Sequence, residues 1–221
     1  MSKSEYLDSL KQDESYYACE RSEMLGFIPK DCRSVLEVGC AGGSFGETVK
    51  KLTGAEVWGI EINKKAAEKA SGMLDKVITA DFYTAINEIP LNYFDCIVLN
   101  DVLEHFTNPY DVLEKIKSFL KDNGYIIASI PNVRYITNLK ELLFDKDWKY
   151  KDNGILDFTH YRFFTKKSIN RMFAECGYEI LLLDGINPIQ RKFLFFIFNF
   201  LSFGIFSDSK YLQFACVASK K

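Results

Sequence analysis

The sequence has little of what several common functional classes require. It contains only two histidines, and its six cysteines form no Cys-x-x-Cys pair and no cluster with histidine at metal-ligand spacing. Its 28 basic and 30 acidic residues give a formal charge of −2, without the basic excess typical of nucleic-acid-binding proteins. We therefore expect no metal site, no nucleic-acid partner, and thiols that are reduced and buried.

Targeting signals and long apolar runs are also missing. The first residues, Met1-Ser2-Lys3-Ser4-Glu5, lack the hydrophobic segment of a signal peptide, so a cytoplasmic protein is expected. The most apolar stretch, residues 193–206, is shorter than the roughly 20 residues that a membrane span needs. We expect it to be a buried or cap-packing helix, within an apolar crossover over residues 188–211. Contact with a membrane or a lipid-linked substrate is the alternative.

The chain does have a regular alternation of short apolar strands and helices. Strands are predicted at residues 34–39, 56–61, 76–80, 94–99, 125–130, 178–183 and 212–219. This alternation favours a single α/β domain over residues 1–221, with a mostly parallel sheet covered on both faces.

Two segments lie outside this alternation, and one helix within it has a predicted end. Residues 1–29 are predicted to form an N-terminal helical cover, and residues 133–164, rich in aromatic and charged side chains, a cap after the fifth strand. The helix over residues 110–120 is expected to end at Asp122-Asn123-Gly124.

The first strand runs into a glycine-rich turn, Glu37-Val38-Gly39-Cys40-Ala41-Gly42-Gly43, and a helix follows. Such a turn lets backbone amides approach a ligand, and ligands of open α/β sheets bind at the carboxyl ends of the strands. The dinucleotide pattern Gly-x-Gly-x-x-Gly would fall on Gly39, Ala41 and Ser44, which is a poor match. The absence of a following Gly-Lys-Ser/Thr excludes a Walker phosphate loop.

With the motifs that follow, this turn resembles the class I S-adenosylmethionine-dependent methyltransferases. The turn is similar to the family's first motif, which holds the methionine half of the cofactor, with Ala41 where a glycine is usual. Glu61 matches the residue that accepts the ribose hydroxyls, and Asp81-Phe82 matches the pair that contacts adenine. Asn100-Asp101-Val102-Leu103-Glu104-His105 resembles a motif of the branch that methylates small metabolites.

The resemblance implies a Rossmann-like, doubly wound sheet of seven strands, with the last strand antiparallel, and S-adenosylmethionine as cofactor. Carboxylates suit the nucleoside independently, because they accept hydrogen bonds from vicinal hydroxyls and from an amine. The predicted cofactor-binding residues are Glu37, Gly39, Cys40, Ala41, Gly43, Phe45, Glu61, Ile62, Asp81, Phe82, Asn100 and Asp101.

Methyl transfer to a hydroxyl benefits from a general base, and histidine titrates near neutral pH. His160 is the preferred candidate and His105 the second. The segment from Pro131 through Thr165 further resembles a branch associated with surface-polysaccharide and glycan assembly. Candidate acceptor-binding residues are Tyr17, Arg21, Asn132, Arg134, Tyr135, Tyr161 and Arg162.

The sequence therefore predicts O-methylation of a small polar acceptor, with a sugar, a sugar phosphate or a phosphoryl-type group of surface glycans as the first choice. N-methylation of an amino sugar or small amine is the second. A nicotinamide-dependent oxidoreductase and a non-catalytic module that keeps the fold are the alternatives from other classes.

Overall fold

The computed structural model describes residues 21–190 and 192–221, so the predicted helix over residues 5–25, the acceptor candidate Tyr17 and Cys19 lie wholly or mostly outside it. The strands are β1 Ser34–Val38, β2 Glu56–Glu61, β3 Lys76–Thr79, β4 Phe94–Asn100, β5 Leu120–Pro131, β6 Tyr178–Pro188 and β7 Tyr211–Lys220. The helices are α1 Ser22–Leu25, α2 Ser44–Thr53, α3 Lys64–Ser71, α4 Phe82–Ala85, α5 Pro109–Ile116, α6 Ile136–Lys140, α7 Lys166–Glu175 and α8 Lys192–Leu201.

The seven strands form one sheet in the order β3-β2-β1-β4-β5-β7-β6. The pairings from β3 to β5 are parallel, and β7 is antiparallel to both β5 and β6. The predicted Rossmann-like sheet with an antiparallel last strand is therefore confirmed.

The central strands are buried on both faces, and their side chains alternate between two hydrophobic cores. In β1, Leu36 and Val38 join the core that includes α5 and α7, whereas Val35 joins the core that includes α2 and α3. In β4, Ile97 and Val98 are divided between the two cores in the same way. Within the described residues, the five cysteines are buried and none forms a disulfide.

The predicted boundary before β5 was wrong. Helix α5 ends at Ile116, and Asp122-Asn123-Gly124, expected to close that helix, lies inside β5. A Cβ at Gly124 would lie 3.0 Å from the carbonyl oxygen of Phe94, so this glycine permits a close approach of two strands.

The sequence favoured a buried or cap-packing helix over residues 193–206, and the structure has helix α8, Lys192–Leu201, at this place. Phe195 is buried, but Phe200, Leu201, Phe203 and Ile205 are 73%, 72%, 94% and 65% exposed. We call these four side chains the apolar patch. Of the helices in the described part of the chain, none has the length and apolar character needed to cross a membrane.

Candidate active site

A pocket of about 860 Å³ lies at the carboxyl ends of β1, β2 and β4, the edge at which open α/β sheets bind ligands. Eleven of the twelve predicted cofactor residues line it, all except Gly43. Gly43 has φ +83° and is the N-cap residue directly before α2. A Cβ there would lie 2.9 Å from the Cα atom of Ala70 in α3. This glycine therefore allows two helices to pack closely.

The glycine turn is attached to β2 by its backbone. The N–H groups of Gly39 and Cys40 donate to the carbonyl oxygen of Ile60, at 2.8 and 3.1 Å. Gly39 has φ +73°, and a Cβ there would lie 2.9 Å from Cγ2 of Val102. Both the backbone angle and the space require glycine at this position. Ala41, which replaces the usual glycine, also has a positive φ, +47°.

Glu61 connects the end of β2 to the turn. Its side chain is buried, and its two oxygens accept the N–H groups of Ala41 and Asn63, at 2.9 and 2.7 Å. Burial raises the pKa of Glu61, while these hydrogen bonds act in the opposite direction. Each carboxylate oxygen has a second lone pair, so the residue can still accept a ligand hydroxyl.

Near the glycine turn and the end of β4, the pocket has polar side-chain atoms without a partner in the described structure. The side-chain amide of Asn100 is buried and makes no hydrogen bond, and neither does Oε2 of Glu37. Burial raises the pKa of Glu37 to about 8, despite a hydrogen bond from the backbone of Gly46. Buried polar atoms without partners are costly, so these atoms suit a polar ligand that fills the pocket.

The far side of the pocket beyond β2 and β3 is apolar, with one carboxylate. Ile62 is 64% exposed although it lines the pocket, and Phe82 packs edge-on against Phe106 with 5.5 Å between ring centroids. Asp81 caps α4 by accepting the Thr84 N–H at 3.1 Å and its hydroxyl at 2.6 Å. This wall can pack against a flat ring and offers a carboxylate at its edge.

Asp101, at the end of β4, is held by three other elements. Its carboxylate accepts the hydroxyl of Ser129 at 2.8 Å and the amide of Gln213 at 2.8 and 2.6 Å, and forms an ion pair with Arg21. Its backbone φ is +50°, a left-handed value that is uncommon for residues other than glycine. Asp101 thus joins β5, β7 and the segment before α1 at the pocket wall.

Beyond Asp101, the pocket contains both histidines and a buried carboxylate. Glu104 and His105 lie in a short 3₁₀ helix after β4. His160 lies between α6 and α7, in the segment that the sequence predicted to be a cap. Glu104 is 1% exposed, and among the residues that the structure describes neither of its oxygens has a hydrogen-bond partner. Nε2 of His160 lies 3.9 Å from Oε1 of Glu104, and the two imidazole rings meet edge-to-face at 4.7 Å.

Neighbouring groups set which nitrogen of each neutral imidazole carries the proton. Nδ1 of His160 lies 2.9 Å from the carbonyl oxygen of Ile155, which only accepts, so this nitrogen is the donor. The hydroxyl of Thr159 donates to Asp157 at 2.5 Å and therefore accepts from Nδ1 of His105 at 3.0 Å. In both neutral rings Nε2 then carries the lone pair.

The two histidines lie 55 residues apart in the sequence, yet the fold brings one ligand atom from each of Glu104, His105 and His160 to within 4.8 Å of one another. The cap makes the difference, because the N–H groups of Tyr161 and Arg162 donate to the carbonyl oxygen of Glu104, at 2.8 and 3.2 Å.

Most of the predicted acceptor-binding residues do not line the pocket, and the fold uses several of their polar groups itself. Arg134 pairs with Asp208 at 3.0 Å, and Nε of Arg162 donates to the carbonyl oxygen of Thr107 at 2.9 Å. The side-chain amide of Asn132 donates to two backbone carbonyl groups. Tyr135 and Tyr161 are also absent from the lining, whereas Arg21 is part of it.

Sequence reasoning missed several residues on the acceptor side of the pocket. Glu104 was part of the recognised motif, but its burial could not be read from the motif. Gln213 and Asn187 come from the antiparallel strands, and Asp157 and Thr159 come from the cap. No spacing in the sequence indicates that these segments meet the end of β4.

The sequence comparisons identify methyltransferases. A family model described as a methyltransferase domain matches residues 10–183. The ubiquinone biosynthesis O-methyltransferase of Azoarcus sp. (strain BH72) is 31% identical over 174 residues, which cover 73% of this chain and 71% of that protein. The protein of the same name from Chromobacterium violaceum is 29% identical over 169 residues, covering 72% and 71%.

Solved structures give the same fold. A SAM-dependent methyltransferase from Archaeoglobus fulgidus superposes with a TM-score of 0.69 at 20% identity, covering 94% of this chain and 97% of that one. A structure from Thermotoga maritima, described as a SAM-dependent methyltransferase and possible histamine N-methyltransferase, gives 0.65 at 16% identity, covering 98% and 97%. At these identities the likeness shows the fold alone.

Proposed function

The chain belongs to the methyltransferase-domain family and is an S-adenosylmethionine-dependent methyltransferase, and from this premise we propose that it methylates a hydroxyl oxygen of a small aromatic molecule. The relatives named above are O-methyltransferases of ubiquinone biosynthesis. The sugar or surface-glycan acceptor expected from the sequence has no support among the comparisons.

The pocket fits the cofactor by the chemistry of its own groups. Close backbone approach at Gly39 suits the narrow methionine half, and the unpartnered carboxylate oxygen of Glu37 can face its cationic groups. Glu61 and Asp81 are the proposed acceptors for the ribose hydroxyls and the adenine amine, with Ile62 and Phe82 against the ring. When bound, the cofactor supplies an activated methyl group on a sulfonium, so the protein has mainly to bind and orient.

The observation that carries the choice of oxygen is the grouping of Glu104, His105 and His160 at the acceptor end of the pocket. A phenolic hydroxyl ionises near pH 10, so its proton must be removed or its pKa lowered before the oxygen attacks at neutral pH. A neutral amine already has an available lone pair. We propose His160 and His105 as the catalytic groups, since each neutral ring has a lone pair on Nε2.

The walls around this cluster favour an aromatic acceptor over a sugar. Val102, Phe106, Ile155 and Leu212 line the pocket beside the polar groups. An aromatic ring that packs against these side chains gains the free energy of apolar burial, about 25 cal/mol for each Å² removed from water.

A panel of acceptors tests the proposal. The purified protein and S-adenosylmethionine are incubated separately with a dihydroxybenzene, a sugar phosphate and a primary amine, and methylated products are quantified by mass spectrometry. We expect O-methylation of the dihydroxybenzene alone. Methyl transfer only to the sugar phosphate or the amine would overturn the choice of acceptor.

We also propose that the apolar patch contacts a lipid surface. Its four side chains are largely exposed, and Lys192, Arg191 and Lys210 flank this segment in the sequence. An exposed apolar surface with basic residues nearby is typical of proteins that lie on anionic membranes. Such contact would bring an acceptor with an apolar tail to the enzyme.

A further inference from the structure

We propose that Asp157 and Thr159 are positioning residues for His105, and that they make this histidine, of the two in the pocket, the one that takes the proton of the acceptor hydroxyl. That the three side chains form one hydrogen-bonded chain rests on the geometry of the cap. The role of this chain in methyl transfer rests, in addition, on the function proposed above.

The hydrogen-bonded chain runs from the imidazole to a carboxylate through one hydroxyl group. Nδ1 of His105 and Oγ1 of Thr159 lie 3.0 Å apart, and the Thr159 hydroxyl donates to Oδ1 of Asp157 at 2.5 Å. A hydroxyl has one proton to donate, so its bond to the carboxylate leaves only its lone pairs for the imidazole. The neutral ring of His105 therefore carries its proton on Nδ1 and its lone pair on Nε2.

Local backbone structure holds the carboxylate and the hydroxyl in place. Oδ1 of Asp157 also accepts the backbone N–H of Thr159 at 2.6 Å, and both residues are 5% exposed. The N–H of Asp157 donates to the carbonyl oxygen of Gly154 at 3.2 Å, and that of Phe158 donates to the carbonyl oxygen of Lys151 at 3.0 Å. Because water is largely excluded from this turn, its hydrogen bonds are strengthened and the chain is kept in one arrangement.

The two histidines differ in the group that each Nδ1–H reaches. His160 donates to the carbonyl oxygen of Ile155, a neutral group, whereas the chain from His105 ends on a carboxylate. A positive charge that forms on His105 is therefore stabilised through the polarised hydroxyl. Nε2 of His160 lies 3.9 Å from Oε1 of the buried Glu104, so its lone pair has a carboxyl group of the protein beside it. This asymmetry assigns the proton of the acceptor to His105.

The proposed step is a proton transfer coupled to methyl transfer. The O–H bond of the acceptor breaks, and its proton moves to Nε2 of His105, which becomes an imidazolium. An electron pair on the acceptor oxygen forms the bond to the methyl carbon, whose bond to sulfur breaks with its electron pair remaining on sulfur. Release of the proton from His105 to water restores the neutral ring.

Nuclear magnetic resonance of the ring nitrogens tests the chain without cofactor or acceptor. The sequence contains two histidines, so labelling with ¹⁵N-histidine gives one pair of ring nitrogens for each. At about pH 8.5, well above the usual pKa of histidine, we expect both rings to carry the proton on Nδ1. Thr159→Val should move His105 away from this tautomer and leave His160, the internal control, unchanged. Thr159→Ser retains the hydroxyl and should give the wild-type spectrum.

Kinetics with the dihydroxybenzene measure the effect of the chain on methyl transfer. We expect Thr159→Val and Asp157→Asn to lower kcat about 10- to 100-fold, because a general base contributes about 10²–10⁴ in rate. KM and the affinity for S-adenosylmethionine, measured by calorimetry, should stay within about twofold of the wild type, since the chain acts on the transition state. Thr159→Ser should restore most of kcat. Thr53→Val, which removes a hydroxyl that donates to the carbonyl oxygen of Val49 outside the pocket lining, should leave kcat unchanged.

Three results would overturn the proposal. They are an unchanged His105 tautomer in Thr159→Val, a wild-type kcat in both Thr159→Val and Asp157→Asn, and a greater loss of kcat in His160→Asn than in His105→Asn. The readouts also keep this proposal apart from the proposed function. Methyl transfer only to the sugar phosphate or the amine, together with the expected change of the His105 tautomer, would reject the aromatic acceptor and support the hydrogen-bonded chain.

Discussion

Glu37 is costly for stability and is the proposed partner of the cationic groups of the cofactor. It points from β1 toward α2, where a Cβ on Gly46 would lie 3.0 Å from its Oε2 atom, and it is almost fully buried. Burial removes the Glu37 carboxylate from water, and this loss of hydration outweighs the one hydrogen bond from the Gly46 backbone. The pKa of Glu37 therefore rises to about 8.

This shift predicts a pH dependence of stability. The pKa of Glu37 is higher in the folded protein than in the unfolded chain, so the folded state binds more protons between about pH 4.5 and 8. Its contribution to the free energy of unfolding is therefore present at low pH and is lost as the pH rises through 8. The change is about 1.4 kcal/mol for each pH unit in that window.

Urea unfolding of the cofactor-free protein at pH 5, 6, 7 and 8 measures this slope. Glu37→Gln should be less pH-dependent than the wild type but not flat, because burial also raises the pKa values of Glu61 and Glu104. An identical slope in Glu37→Gln and the wild type would contradict the assignment.

A second prediction compares Gly39, in the glycine turn, with Gly54, at the end of α2. The two glycines have similar φ angles but different neighbouring atoms. Gly39 and Gly54 have φ +73° and +70°, but only at Gly39 would a Cβ meet another atom, Cγ2 of Val102 at 2.9 Å. Each change to alanine should cost about 1–2 kcal/mol of stability through the left-handed backbone.

Gly39→Ala should cost more than Gly54→Ala, since it adds the steric contact, and should also weaken S-adenosylmethionine binding at least about tenfold. Chemical denaturation and calorimetry measure the two effects. Equal cofactor affinity in both variants would show that the turn at Gly39 does not approach the cofactor.

At the scale of elements, the sequence predicted the strands and the glycine turn, whereas five of the proposed acceptor residues lie outside the pocket lining and the end of the apolar segment is exposed. Strand β2 is found at its predicted bounds because alternating helices and buried strands leave a strong pattern. Helix α8 shows the limit of such patterns. Apolar composition alone does not distinguish a helix packed on the core from one that remains exposed.

Arginines on the acceptor side show the same limit at longer range. Arg134 and Arg162 were read as possible clamps, yet their partners are Asp208 and the carbonyl oxygen of Thr107, both more than fifty residues away in sequence. The guanidinium group of arginine donates to any carboxylate or carbonyl oxygen that the fold places nearby, so its partners cannot be read from the sequence. Most of the predicted cofactor residues do line the pocket, because they follow strand ends in a fixed order.

The apolar patch supplies the prediction at this scale. Leu201 and Phe203 are 72% and 94% exposed, and a lipid surface would bury them. We expect the wild type to float with anionic vesicles, and the double change Leu201→Ser and Phe203→Ser to reduce the bound fraction several-fold.

Leu52→Ser is the matched control, since Leu52 is a comparably exposed leucine, 67%, on α2. It should float as the wild type does. If the wild type itself remains with the soluble fraction, or if Leu52→Ser has the same effect as the double change, the patch is not a membrane-contact surface.

At the scale of the whole molecule, both the proposed cofactor site and the proposed acceptor site lie at one edge of the sheet. The parallel strands β1, β2 and β4 present the glycine turn, Glu61 and Asn100, whereas Gln213 on β7 and His160 in the cap close the acceptor side. A volume of about 860 Å³ lies within the range of small-molecule sites, roughly 300–1,000 Å³. Because β7 is antiparallel to β5, its first residues lie at the carboxyl ends of the parallel strands. Gln213 of β7 therefore lines the same pocket as residues that follow β1.

Because residues from several strands share this pocket, a ligand that fills its cofactor half should stabilise the entire fold. A ligand at 100 times its dissociation constant adds about 2.7 kcal/mol if it binds only the folded state. For a chain of this size we expect the product S-adenosylhomocysteine at that excess to raise the melting temperature by about 5–10 °C.

Differential scanning fluorimetry measures the shift, with NADH at the same concentration as the control ligand. NADH should leave the melting temperature unchanged, because the turn has Ala41 and Ser44 where a dinucleotide fold has glycine. Glu61→Gln should reduce the shift with S-adenosylhomocysteine, since a carboxylate oxygen at the ribose end of the pocket is replaced by an amide. A full shift in that variant would remove Glu61 from the cofactor site, and a shift with NADH would show that the glycine spacing does not discriminate between the two cofactors.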